Sequence, residues 1–281
     1  MSYRTILLHA DMAHHAGARY TLGCRLAAML DAHLIGAAAT GISRFAPAAV
    51  AAGIWPLTAE HMTQMSDNAS KALEACALSA TAHGVNSYES RLLSDDAASA
   101  LLLQSSSSDL LVLSQDDGNE TLADRASALV PSLLLHGARP ILVVPKVSRL
   151  ALDVAPCQHP LLAWDGSNHS ARALLDALPL LKLARQVTLL VLNAEQHASQ
   201  HGQQAGADMA LFLARHGVQL ELISDSTELP VAEAILAQAR TLGSDLLVMG
   251  GYGHTRWSEA VLGGVTSTIL DTMDIPVLVA H

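Results

Sequence analysis

The sequence predicts an α/β protein made of two tandem domains, each built on a five-stranded parallel sheet. Two observations carry the prediction. Short apolar runs alternate along the chain with amphipathic segments, the pattern of βαβ units whose parallel sheet is covered on both faces. The pattern also occurs twice: SSDLLVLS at 107–114 lies over GSDLLVMG at 243–250, and ARPILVV at 138–144 over DIPVLVA at 274–280, at one offset of 136 residues. The starts of the halves match too, since YRTILLHAD at 3–11 resembles HPLLAWD at 159–165 at an offset of 154, each a short apolar strand ending in an aspartate. The predicted domains are 1–145 and 159–281, with KVSRLALDVAPCQ at 146–158 as the linker.

Taken in order, the first half gives strands at 4–9 (RTILLH), 33–39 (HLIGAAA), 87–93 (SYESRLL), 109–114 (DLLVLS) and 140–144 (PILVV). The second half gives strands at 160–164 (PLLAW), 186–192 (QVTLLVL), 218–223 (VQLELI), 245–250 (DLLVMG) and 276–280 (PVLVA), with helices near 168–183, 202–216, 229–242 and 262–272. The first half is the longer in its middle, and the excess is assigned to GISRFAPAAVAAGIWPLTAE at 41–60, rich in Ala, Gly and Pro. Sheets of this kind bind ligands beyond the carboxyl ends of their strands, where the strand order reverses.

Composition narrows the function classes. A 51% hydrophobic chain with 15% charged residues is not disordered, and with 3% aromatics its core must be built from Leu, Val, Ile and Ala. A net charge of −10 without Lys and Arg clusters argues against a nucleic-acid partner. No apolar stretch approaches the roughly 20 residues that span a bilayer, and MSYRTILLHAD lacks a signal-peptide cleavage pattern, so no membrane partner and a cytoplasmic protein are expected. Cys24, Cys76 and Cys157 are far apart and outside any CxxC, as expected of reduced thiols rather than a disulfide or zinc framework.

The chemistry concentrates in MGGYGHTRWSEAVLGGVT at 249–266. A glycine-rich loop running into a helix N-terminus brings unpaired N–H groups and a partial positive charge against phosphate oxygens, and glycine keeps side chains out of the way. Gly250, Gly253 and Gly263 form G-x2-G-x9-G, which is neither a Walker A loop nor the GxGxxG dinucleotide fingerprint. The other reading is a turn and helix start that bind nothing.

SDLLVMGGYGHTRWSEAVLGGVTSTILDTMDIPVLVA at 244–280 resembles the universal stress protein family, and the repeat makes the chain similar to its tandem members. The resemblance implies a Rossmann-like fold of the adenine nucleotide alpha hydrolase kind, with ATP, accompanied or not by Mg²⁺, bound between the first strand's loop and the glycine loop. The implied nucleotide-binding set is Asp165, Gly250, Gly253, His254, Gly263, Gly264, Val265 and Thr266. Gly264 stands where the family has Ser or Thr, and Thr266 is the nearest substitute hydroxyl. Asp165 can accept hydrogen bonds from a ribose or the adenine amine, or can cap the following helix with Ser167. Arg256 either neutralises a phosphate or stays in solvent.

In the first half the same offset turns Gly250, Gly253, Gly263 and Gly264 into Ser114, Asp117, Ser127 and Ala128, and Asp116 with Asp117 would repel a triphosphate. That half, retaining Asp11, is expected to bind no ATP and to act as the second member of an intramolecular pseudo-dimer. By resemblance 141–144 and 277–280 are its contact strands, with a homodimer as a further assembly. The expected activity is binding without dedicated catalysis, at most a slow ATPase. The alternative is an interaction scaffold or small-ligand carrier using Phe45, Ile54 and Trp55 of the insert. His197 and His201 have i, i+4 spacing, but EQHASQHGQQ reads as a solvated segment rather than a zinc site. No catalytic residue and no metal ligand is assigned.

Overall fold

The computed structural model describes residues 2–42, 59–116, 129–150, 157–197, 204–252 and 264–281. They form two compact units. One is built on Tyr3–Ser114 with a helix at Leu129–His136; the other is built on Pro140–His281 together with Gln115 and Asp116.

In the first unit, β1 (Thr5–His9), β2 (His33–Ala39), β3 (Ser87–Leu93) and β4 (Leu110–Ser114) form a sheet in the order β3-β2-β1-β4, with parallel pairing of β1 to both neighbours. Helices α1 (Ala16–Leu30), α2 (Ala59–Ala82), α3 (Ala97–Ser105) and α4 (Leu129–His136) accompany them. The central strands are continuous apolar runs because both faces are covered, and Ile6, Leu8, Leu34, Leu110 and Val112 are fully buried. The outer strand β3 has no buried residue and carries Glu89 and Arg91, charges suited to an edge. Helix ends follow local chemistry. Asp31 adopts the left-handed conformation that closes α1, and the Asp96 side chain accepts from Ser99 N at 2.9 Å to start α3.

In the second unit the order is β5-β10-β9-β6-β7-β8, from β5 (Ile141–Val144), β6 (Pro160–Ala163), β7 (Val187–Leu192), β8 (Leu220–Asp225), β9 (Leu246–Gly250) and β10 (Val277–Ala280). Its helices are α5 (Asn168–Leu181), α6 (Ala207–Arg215), α7 (Val231–Thr241) and α8 (Gly264–Thr272). Pairing is parallel from β10 through β8, but β5 lies antiparallel to β10 with Leu142 opposite Leu278.

The α/β class and the parallel-dominated sheets agree with the sequence reading. The strands are shared differently, four in one compact unit and six in the other, because β5 joins the sheet of the second unit. Its four residues are all buried, and β10 offers a matching apolar edge. Arg149, just past β5, donates through Nη2 to Ser244 O at 2.7 Å, and its Nε lies 3.5 Å from Asp274 Oδ1, which fastens the chain leaving β5 to the second unit.

One device recurs at the base of both repeats. Asp109 Oδ2 accepts from Arg4 N at 2.7 Å and Thr5 N at 2.9 Å, while Asp245 accepts from Gln158 N at 2.5 Å and His159 N at 2.9 Å. The aspartate before the fourth strand of each half thus satisfies the N–H groups that lead into the first strand.

All three cysteines are free and buried. Burial pushes the Cys24 thiol up to about 12 and raises Cys76 and Cys157 as well. At pH 8 the nucleophilic thiolate is therefore scarce as well as inaccessible. Iodoacetamide should leave the native protein unlabelled and modify three thiols after denaturation, as read by intact mass; labelling of the native form would contradict this packing.

Candidate functional site

The register of β1 with β4, and of β6 with β9, brings together the two carboxyl ends where the sequence places a ligand. In the first half those ends are already bridged. Arg19, on the first turn of α1 and 1% exposed, lies with Nη2 2.8 Å from Asp11 Oδ1 and donates through Nη1 to Ser114 Oγ at 2.7 Å. Its guanidinium carbon also sits 5.5 Å from the centroid of the Tyr20 ring. Tyr20 completes the clamp, donating through its hydroxyl to Asp11 O and accepting from Asp11 N. An internal cation therefore ties the first-strand loop to the end of the fourth strand.

The charges respond accordingly. Burial works to raise the Asp11 carboxyl, but the Arg19 charge and hydrogen bond outweigh it and hold it below the usual carboxylate range. His9 lies 3.3 Å from Asp11, and burial, reinforced by Arg19 against the opposing pull of Asp11, pushes its imidazole down to about 4.

The second half is built differently at the same places. By the first-strand offset Arg19 corresponds to Ala173, a buried small residue that spans nothing. Asp165 is exposed at the end of β6, and its Oδ1 accepts from Ser167 N at 2.9 Å. Ser167 is the N-cap of α5, its hydroxyl accepting from Ser170 N at 3.1 Å. The capping role thus falls to Ser167, with Asp165 shaping the turn before it.

Gly250 ends β9 against the first turn of α5. A Cβ there would lie 2.5 Å from Ser170 N and 2.7 Å from the His169 carbonyl carbon, so packing alone demands glycine. Gly264 and Val265 are exposed at the start of α8, and a Cβ on Gly264 would meet nothing within 4 Å. Thr266 is buried, and its Oγ1 accepts from Tyr252 N at 3.2 Å, so it turns toward the loop start. Tyr252 has φ of 52°, and burial, with Asp116 and Asp271 nearby, pushes its phenol up to about 12. Gly253, His254, Arg256 and Gly263 lie outside the described residues, as do 43–58 of the insert with Phe45, Ile54 and Trp55, and Asp117, Ser127 and Ala128 of the first half. Among the described residues no group of three or more His, Cys, Asp or Glu side chains is placed to hold a metal ion, and no described helix is long and apolar enough to cross a membrane.

Two features escaped the sequence reading. The Arg19 bridge had a faint signal, a basic residue amid ARYTLGCRLAAML where the helix must face the sheet. The other is a histidine stack: His169 on α5 and His281 beyond β10 lie with centroids 4.4 Å apart and planes inclined at 22°. No local pattern joins two residues so distant in sequence.

Taken together, the chain is a tandem α/β protein whose halves share one strand-end geometry. Residues 158–281 match the model of the universal stress protein family. The second half thus matches a universal stress protein domain, and the Usp-like fold of the first supports a tandem arrangement. A curated universal stress protein of Synechocystis sp. is 29% identical over 143 residues, 50% of this chain and 46% of the relative, so the chain spans about half the length of that relative. The crystal structure of a universal stress protein from Archaeoglobus fulgidus covers 99% of this chain and 96% of its own, with a TM-score of 0.74 at 16% identity. A functionally unknown protein from Pseudomonas aeruginosa covers 99% of this chain and 92% of its own, with a TM-score of 0.57 at 18% identity.

Two outcomes follow from this geometry. His9 is neutral when folded and titrates near 6.5 when unfolded, so its contribution is complete above pH 6.5 and is lost as pH falls toward about 4. The shift amounts to ~3 kcal/mol, and Asp11, with its lowered carboxyl, acts in the same direction at lower pH. The urea midpoint should fall between pH 7 and pH 4.5, less steeply in His9→Gln; equal slopes in variant and parent would remove His9 as the cause. Gly250→Ala should lower the melting temperature through overpacking worth about 1–3 kcal/mol, measured by calorimetry without ligand.

Proposed function

We propose that the second half binds ATP or another adenine nucleotide and that the protein acts in stress response as a nucleotide-dependent signalling or protective protein. The observation that carries this reading is the contrast between the halves. Where Arg19 bridges Asp11 to Ser114, the second half has Ala173, an exposed Asp165 and an exposed helix start at Gly264 and Val265. A nucleotide would supply the missing bridge: its ribose or adenine on Asp165, its phosphates on the Gly253 loop and the N–H groups of α8. Gly253, His254 and Gly263 complete the proposed site by resemblance, and Mg²⁺ would accompany a triphosphate.

Under this reading the functional division runs 1–145 and 159–281. The first half is a structural partner that has exchanged ligand for an internal ion pair, and the transfer of β5 into the second unit's sheet supports a pseudo-dimer. Binding, not turnover, is the activity, and it stabilises the folded second half by mass action.

Calorimetric titration of nucleotide-free protein with ATP and Mg²⁺ should give one site per chain. Gly253→Asp, which copies the first half, should weaken binding by at least about tenfold, and Gly264→Ser should bind as well or up to about tenfold tighter, because its hydroxyl adds a charge-assisted hydrogen bond. No binding heat at two temperatures, or an unchanged Gly253→Asp, would sink the proposal.

A further inference from the structure

Three hydrogen bonds hold the start of the glycine loop. Gly251 N donates to Ala280 O at 2.8 Å, His281 Nδ1 lies 3.1 Å from Gly251 O, and Tyr252 N donates to Thr266 Oγ1 at 3.2 Å. A carbonyl oxygen only accepts, so the His281 contact requires the proton on Nδ1. The His281 ring is held in turn by stacking on His169, whose backbone carbon and Cβ abut Gly250. Tyr252, a side-chain-bearing residue, is kept at φ of 52°, a conformation that needs such restraint.

We infer that His281 is a positioning residue for the nucleotide site of the second half, orienting the Gly251 peptide from which the phosphate loop departs; the inference rests on the nucleotide reading above. The Nδ1–H sets the direction of the Gly251 carbonyl, and the same peptide plane carries the Tyr252 N–H toward Thr266. One imidazole of the stack therefore aligns the Gly251–Tyr252 peptide unit, while His169 keeps its ring in place. Asp165 acts on the His169 ring, and Asp116 and Asp271 act on Tyr252. Burial and then the His281 charge lower the His169 imidazole against the pull of Asp165.

The test combines ATP·Mg²⁺ titration with amide hydrogen exchange at Gly251 and Tyr252 in ligand-free protein. His281→Ala should weaken ATP binding about tenfold and speed exchange at both amides, with Tm unchanged. His281→Asn, whose amide nitrogen can donate to the same carbonyl, should recover most of both. Unchanged exchange in His281→Ala, or His281→Asn as impaired as the alanine variant, would overturn the role of His281. If exchange responds as expected but neither the parent nor any variant binds ATP, the nucleotide part is overturned while the anchoring of Gly251 stands.

Discussion

The parallel register between the first and fourth strands of each half is the constraint on which the rest depends. Ile6 pairs with Leu110 in one repeat and Pro160 with Leu246 in the other. Asp109 and Asp245 reinforce each pairing by accepting the N–H groups that lead into the first strand. Buried donors must find acceptors, and a carboxylate can take two at once. With the lower ends locked, the upper ends come near one another: Arg19 spans Asp11 to Ser114 in one half, and β6 and β9 run side by side to Leu162 and Val248 in the other.

The two halves close the gap in different ways. In the first, a buried guanidinium provides a permanent bridge, and breaking a buried ion pair of this kind typically costs about 3–5 kcal/mol because one charge is left uncompensated. Such a bridge requires no ligand, and the acidic sequence at Asp116–Asp117 needs no reconciliation with phosphate. In the second half the helix residue is alanine, and Asp165 and Ser167 shape the turn and the cap. The frame recurs in both halves, while the first helix carries Arg19 in one and Ala173 in the other.

The strands were legible because each is a short apolar run with both faces buried, a property written locally in residues such as TILLH, VTLLVL and LLVMG. The candidate site was legible only in part. Asp165 could be placed from the first-strand repeat and Gly250 from the second, but the motif could not separate a glycine needed for phosphate from one needed for packing. At Gly250 the first turn of α5 answers that question, since no Cβ fits beside Ser170 N. Thr266 looked like a spare phosphate hydroxyl, yet it is buried and holds Tyr252 N.

The sequence by itself determined the α/β class, the duplication and the place of the glycine loop after a buried strand, because these follow from periodicity and from spacing along one chain. Only the tertiary structure decided that β5 pairs antiparallel with β10, that Arg19 joins Asp11 to Ser114, and that His281 stacks on His169 while meeting Gly251. The reason is physical: each of these depends on groups separated by many residues and made neighbours by sheet register. An edge strand, a buried cation or an imidazole acquires its partner only once the sheet has formed.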